Sequence, residues 1–204
     1  MQHAKIICIG LLTALAMSGA ATAQASATVW EVEKSPLFGA EAISNSAISL
    51  AGGILEGRGL KIECPTLKIE EGLIKEGNTG MAGSLTFSEC NELNEEARCE
   101  LQSTVISLGR VKIEVINSTE ILISPEGTEL GVFKVINKTG KICILKQQVT
   151  VAGSMAFTVG KAGTSEKLHL LSANGGSLTF NSSSATLSAS GYMLLSSLRS
   201  WNIH

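Results

Sequence analysis

The chain has 204 residues, 44% of them hydrophobic and 17% charged, with a formal net charge of -2. All 18 acidic residues are Glu and no Asp occurs, which excludes aspartic dyads, Ser-His-Asp triads in their usual form and calcium loops that open on Asp. The near-neutral balance also excludes a basic nucleic-acid binder.

Residues 1–23 read as a secretory signal. A short n-region carries His3 and Lys5, an apolar run extends from Ile6 to Met17, and small residues end in Ala21-Thr22-Ala23. Cleavage is expected after Ala23, with Ala23-Gln24-Ala25 as a second site. The apolar run is too short to span a bilayer, which needs about 20 residues, so the mature chain is expected to hold no transmembrane segment. Cys8 lies inside the apolar run, away from a lipoprotein cleavage point. The expectation is a secreted or periplasmic (cell-envelope) protein of bacterial type, with residues 24–204 forming a single β domain.

The pattern of the mature chain has period two. Trp30 stands in Val29-Trp30-Glu31-Val32, and the best candidate for a helix, Ala40 to Leu50, reads better as a short turn or strand rich in Ser. Leu60-Lys61-Ile62-Glu63 and Leu67-Lys68-Ile69-Glu70 alternate clearly. In Val111-Lys112-Ile113-Glu114-Val115 the three apolar residues share one face. Leu168-His169-Leu170 continues the alternation, and Trp201 lies in the last strand. Gly, Asn and Ser clusters separate these runs, as at Glu76-Gly77-Asn78 and Asn181-Ser182-Ser183.

Gly83-Ser84-Leu85-Thr86-Phe87 recurs identically as Gly176-Ser177-Leu178-Thr179-Phe180, with Gly153-Ser154-Met155-Ala156-Phe157 as a looser copy. Each reads as a turn followed by a strand whose Leu or Met and Phe enter a core. The fold expected is all-β, an antiparallel β-sandwich or β-barrel stapled by disulfides, with the first and last strands paired. An outer-membrane barrel is disfavoured because one Tyr, five Phe and two Trp cannot form two aromatic girdles.

Cys64, Cys90, Cys99 and Cys143 form an even set in an exported chain, the mark of a disulfide framework. Four cysteines allow three connectivities. Residues 91–98 are polar and read as a hairpin loop, so the expected pairs are Cys90 with Cys99 and Cys64 with Cys143, worth about 2.7 and about 4.5 kcal/mol in chain entropy. A zinc site lacks the C-x-x-C spacing it would use. The stretch Glu89 to Glu100 holds five Glu and one Arg and is expected to form a solvated hairpin tip.

No catalytic, cofactor-binding or metal-binding residue is predicted, and no cofactor. His169 reads as a surface or hydrogen-bonded strand residue, and His204 ends the chain. The pairs Glu70-Glu71 and Glu95-Glu96 flank turns and point apart, which suits glycoside hydrolysis poorly. Three Asn-x-Ser/Thr sequons, at Asn117, Asn137 and Asn181, read as chance matches in a Ser/Thr-rich chain.

The order Trp30-Glu31-Val32, Gly59-Leu60-Lys61-Ile62-Glu63-Cys64, Ser84-Leu85-Thr86-Phe87-Ser88-Glu89-Cys90, Cys99, Cys143 and a late Trp resembles a group of uncharacterised secreted bacterial β-domain proteins with a shared Cys-strand pattern. The resemblance implies export and the cysteine framework, and carries over no activity. The leading expectation is a non-enzymatic surface, matrix or adhesion component whose partner is a cell-surface or extracellular polymer. The alternatives are a small-ligand or carbohydrate-binding module, with Trp30, Tyr192 and Trp201 as the available stacking rings, and a secreted hydrolase using dispersed Glu.

Overall fold

Period-two alternation decides the element type throughout: the structure is all-β, and the alternating residues point in and out of one core. The computed structural model describes residues 28–44, 53–94, 98–143, 145 and 148–204. The expected signal, both cleavage sites, the Glu95-Glu96 pair and positions 45–50 of the Ser-rich stretch lie outside the described residues.

In chain order the strands are β1 (Trp30–Val32), β2 (Ser35–Pro36), β3 (Ala40–Ala42), β4 (Gly53–Gly57), β5 (Leu60–Cys64), β6 (Thr66–Glu70), β7 (Leu73–Lys75), β8 (Thr79–Ala82), β9 (Ser84–Ser88), β10 (Asn91–Glu92) and β11 (Cys99–Leu101). There follow β12 (Ile106–Leu108), β13 (Val111–Asn117), β14 (Glu120–Pro125), β15 (Glu129–Asn137), β16 (Gln148–Ala152), β17 (Met155–Val159), β18 (Leu168–Gly176), β19 (Thr179–Phe180), β20 (Ser183–Ser188), β21 (Ser190–Leu194) and β22 (Trp201–Ile203).

All the strand pairs are antiparallel. An eight-stranded sheet runs β3-β7-β8-β13-β14-β17-β18-β21, an eleven-stranded sheet runs β6-β9-β12-β15-β16-β19-β20-β4-β5-β10 with β11 beside β15, and a small sheet runs β2-β1-β22. The chain moves between the two large sheets hairpin by hairpin: β13 and β14 lie in the first, β15 and β16 in the second, β17 and β18 in the first again. Each such hairpin then pairs along its outer edges with strands further away in sequence, as β14 does with β17 and β16 with β19.

The eight-stranded sheet curls until its two ends meet. Ile43, just past β3, bridges Leu195, just past β21. The Ser44 N–H donates to Leu194 O at 2.9 Å and the Ser196 N–H to Ala42 O at 2.8 Å. Both bridging side chains are buried, and the seam removes two open edges that would otherwise template pairing with another chain. Outside it, Arg199 forms an ion pair with Glu41 of β3.

The repeated Gly-Ser motifs mark the places where the chain changes sheet. Gly83 joins β8 to β9, Gly153 and Ser154 join β16 to β17, and Gly176 and Ser177 lead from β18 to β19. Bends of this kind form the corners between packed sheets. Two of the corners touch. The Ser177 N–H donates to Ser154 O at 2.9 Å, and the two Ser hydroxyls lie 3.1 Å apart. A Cβ on Gly153 would sit 2.0 Å from Ser177 O, and one on Gly176 would sit 2.2 Å from Ser154 O, at φ of 93° and 126°. Glycine is required at both by space and by backbone conformation. As expected, Leu85 and Phe87, Met155 and Phe157, and Leu178 and Phe180 all enter the core.

Three hairpins close through two-residue turns in which both residues have positive φ: Glu33-Lys34, Arg58-Gly59 and Asn181-Ser182. This geometry matches the right-handed twist of the flanking strands. The terminal strands pair as expected, Trp30 opposite Ile203 and Val32 opposite Trp201. The two indoles lie 5.9 Å apart and are fully buried. At ~25 cal/mol/Å², burial of a Trp side chain contributes about 4–6 kcal/mol.

Candidate functional site

The cysteines form two disulfides, but with partners other than those expected. Cys64 pairs with Cys90, their Cα atoms 4.1 Å apart, and Cys99 pairs with Cys143, at 4.7 Å. The expected pairs Cys90–Cys99 and Cys64–Cys143 are thereby corrected. The reason is that the polar stretch between Cys90 and Cys99 is not one hairpin. After Cys90 the chain enters β10, which lies on β5 with Asn91 opposite Glu63, the neighbour of Cys64. At its far end β11 lies on β15, with Cys99 opposite Asn137. Asn137 Oδ1 accepts the Cys143 N–H at 2.9 Å, which brings Cys143 within reach of Cys99.

For the same reason the Glu89 to Glu100 stretch is not simply a solvated tip. Glu92 packs inward, and its Oε1 accepts the N–H groups of Lys61 at 3.1 Å and Asn94 at 2.9 Å. Its Oε2 is buried. Burial pushes the Glu92 carboxyl above the usual carboxylate range, against the opposing pull of the Asn94 and Lys61 N–H groups and the Lys138 ammonium. This carboxylate pins β10 to β5.

Of the two readings expected for His169, surface or hydrogen-bonded strand residue, the structure shows the second. It lies on the opposite side of β18 from Leu168 and Leu170, as alternation requires, but the histidine is inside at 1% exposure and the leucines are outside at 45% and 43%. Its ring lies 2.9 Å from Gly160 O through Nδ1 and 2.7 Å from Trp201 O through Nε2, with the Trp201 ring 4.3 Å away between centroids. Two backbone partners meet the cost of burying a polar ring.

With His169 inside, the outer face of β18 and β21 becomes apolar. Leu170 is directly opposite Tyr192, and Leu168 is opposite Leu194. Tyr192 is 47% exposed. The result is a short strip of Leu168, Leu170 and Tyr192 beside the seam that closes the eight-stranded sheet. Sequence reasoning missed it. The available signal was an uncharged polar residue between two leucines, because the neutral residue can be internalised if partners exist.

The remaining candidates are structural in geometry. Trp30 Nε1 donates to Thr79 O at 2.9 Å and Trp201 Nε1 to Met193 O at 3.3 Å, so neither indole presents a face to solvent. Glu70 accepts the Ser84 hydroxyl, while Glu71 occupies a left-handed turn position at φ 53°. Asn117 Oδ1 accepts the Thr119 N–H within the β13–β14 turn, and Asn181 Oδ1 accepts the Thr150 N–H from β16. All three sequon asparagines thus hold backbone through their side chains. Among the described residues, no group of three or more His, Cys, Asp or Glu side chains could hold a metal ion, and no helix is long and apolar enough to cross a membrane.

The class defined by this geometry is a disulfide-stapled, antiparallel all-β domain with one sheet curled edge to edge. Comparison with protein families, curated proteins and solved structures finds no match to this chain.

Proposed function

We propose that the chain is a non-enzymatic exported β domain serving as a surface, matrix or adhesion component. Two disulfides, with Cys64, Cys90 and Cys99 buried and Cys143 partly buried, fit an oxidising compartment such as the periplasm or the cell exterior. The observation that carries the reading is the apolar strip Leu168, Leu170 and Tyr192 on the outer face of a stapled scaffold. Exposed apolar side chains grouped on one rigid face favour contact with another surface. A strip of three side chains binds weakly, and many displayed copies convert weak contacts into firm attachment.

Purified, processed protein incubated with cell envelopes and extracellular polymer of the producing cells tests this. Retention should fall about tenfold in a Leu170→Ser/Tyr192→Ser variant of unchanged thermal stability. Equal retention of variant and parent would overturn the reading. Elution by free sugars would favour the carbohydrate-binding alternative, for which Tyr192 is the exposed one of the three rings expected, both Trp being buried. Release of soluble fragments from the polymer would favour the hydrolase.

A further inference from the structure

We propose that the outer face of the eleven-stranded sheet holds a site for a neutral saccharide, in a hollow over Ala152 where β15, β16 and β19 run side by side. The hollow has a volume of about 420 Å³, within the range of small-molecule sites. Its shape follows from the ladder. Ala152 lies opposite Glu129 of β15 on one side and opposite Thr179 of β19 on the other. Neighbouring strands lie about 4.8 Å apart, so Glu129 and Thr179 stand about 10 Å from each other with only the Ala152 methyl group between them. That gap accepts one pyranose ring laid on Ala152. Thr128, Thr150 and Ser182 complete the rim.

A repeated motif shows what is particular about the place. Thr86 and Thr179 hold the same position in the two identical Gly-Ser-Leu-Thr-Phe copies, each between an inward Leu and an inward Phe. Thr86 stands between Lys68 and Ser107, and its hydroxyl lies 3.5 Å from that of Ser107. Thr179 stands between Ala152 and Ser184, and it lines the hollow. Among the described residues, the side chains of Thr128, Glu129, Thr150, Thr179 and Ser182 make no hydrogen bond or ion pair with the protein. The wall beside them is fixed: Asn181 Oδ1 accepts the Thr150 N–H at 2.8 Å, and its Nδ2 donates to Gln148 O at 3.1 Å.

The chemistry selects the ligand. A carboxylate only accepts hydrogen bonds, while hydroxyls donate and accept. Adjacent sugar hydroxyls match this set, donating to Glu129 and bonding to Thr and Ser in either sense. Among the described residues no Lys or Arg lines the hollow, and Glu129 repels phosphates and uronic acids. A single carboxylate also falls short of the oxygen set that a calcium ion takes. The site lies on the other large sheet from the strip of Leu168, Leu170 and Tyr192, so it stands or falls apart from the adhesion reading.

Amide NMR titration of the purified protein with neutral oligosaccharides of glucose, mannose and galactose, beside a glucuronic-acid oligosaccharide, tests this. At about 10 mM, a ligand with a Kd of about 1 mM is nearly saturating. At least one neutral sugar should shift the amides of Thr150, Ala152, Thr179 and Ser182, with the acidic sugar binding more weakly. Ala152→Leu, which fills the hollow, should abolish the shifts, and Thr179→Val should weaken binding about fivefold. Thr86→Val and the Leu170→Ser/Tyr192→Ser variant should bind as the parent does. No shift at these amides with any neutral sugar, shifts that survive Ala152→Leu, or binding lost in the Leu170→Ser/Tyr192→Ser variant would overturn the site.

Discussion

Strands β10 and β11 and the terminal sheet of β1, β2 and β22 all consist of two or three residues, too short to hold their places by ladder hydrogen bonds alone. They are anchored differently. β10 and β11 are tied covalently, Cys64 to Cys90 and Cys99 to Cys143, with the Glu92 carboxylate on the backbone of β5 and of its own turn. β1 and β22 are anchored by bulk and hydrogen bonding: two packed indoles, each donating to a carbonyl, and the His169 ring on Trp201 O. The contrast shows what a short strand needs, which is an anchor outside its own ladder. A polar stretch with little apolar area to bury uses disulfides; a stretch carrying Trp uses the core.

The comparison can be broken most severely at Trp201. Trp201→Ala removes the partner of Trp30, the ring against His169 and a donor to Met193 O, and should cost about 5 kcal/mol, read as loss of a cooperative urea transition. Replacing both Cys99 and Cys143 by Ala should cost about 4 kcal/mol, and replacing Cys64 and Cys90 about 3.5 kcal/mol, because the first pair closes 44 residues of sequence separation and the second 26. The difference in urea midpoints checks the order. Gly153→Ala should cost about 2–3 kcal/mol, since its Cβ meets Ser177 O. Gly39→Ala should cost about 1 kcal/mol, having positive φ but open space around it.

The smallest effect concerns Glu92. Its carboxyl is raised by burial, so the folded state holds that proton more firmly than the unfolded state. The resulting stability is present below the ordinary carboxylate range and is lost as pH rises through the folded-state value. Glu92→Gln should remove this dependence, so the parent should lose stability relative to the variant between pH 4 and pH 7. Chemical denaturation at several pH values checks the sign.

Much of the architecture is legible in the residues. Val111, Ile113 and Val115 are all buried as their spacing requires, and the Gly-Ser-x-x-Phe copies place both apolar side chains inside. The two Trp strands could be placed near the two ends of the mature chain, while their pairing is a nonlocal fact that the sequence does not show. The face that His169 takes was not legible either, because alternation states which residues share a face and leaves open which face meets the core. Two carbonyls that give the imidazole partners accompany the face that turns inward, and neither is visible from the local pattern. The disulfides were half legible: four cysteines announced a framework, while their partners depended on which strands β10 and β11 join. That is a nonlocal fact, and a polar stretch of eight residues between Cys90 and Cys99 looks the same whether it closes a hairpin or crosses between strands.

Peptide mapping of the purified protein without reduction tests the central claim most directly, that β10 and β11 lie on two separate strands and that each is stapled by its own disulfide. The account expects one linked fragment containing Cys64 and Cys90 and another containing Cys99 and Cys143, with no free thiol among the four. A fragment joining Cys90 to Cys99, or free thiols at these positions, would contradict it.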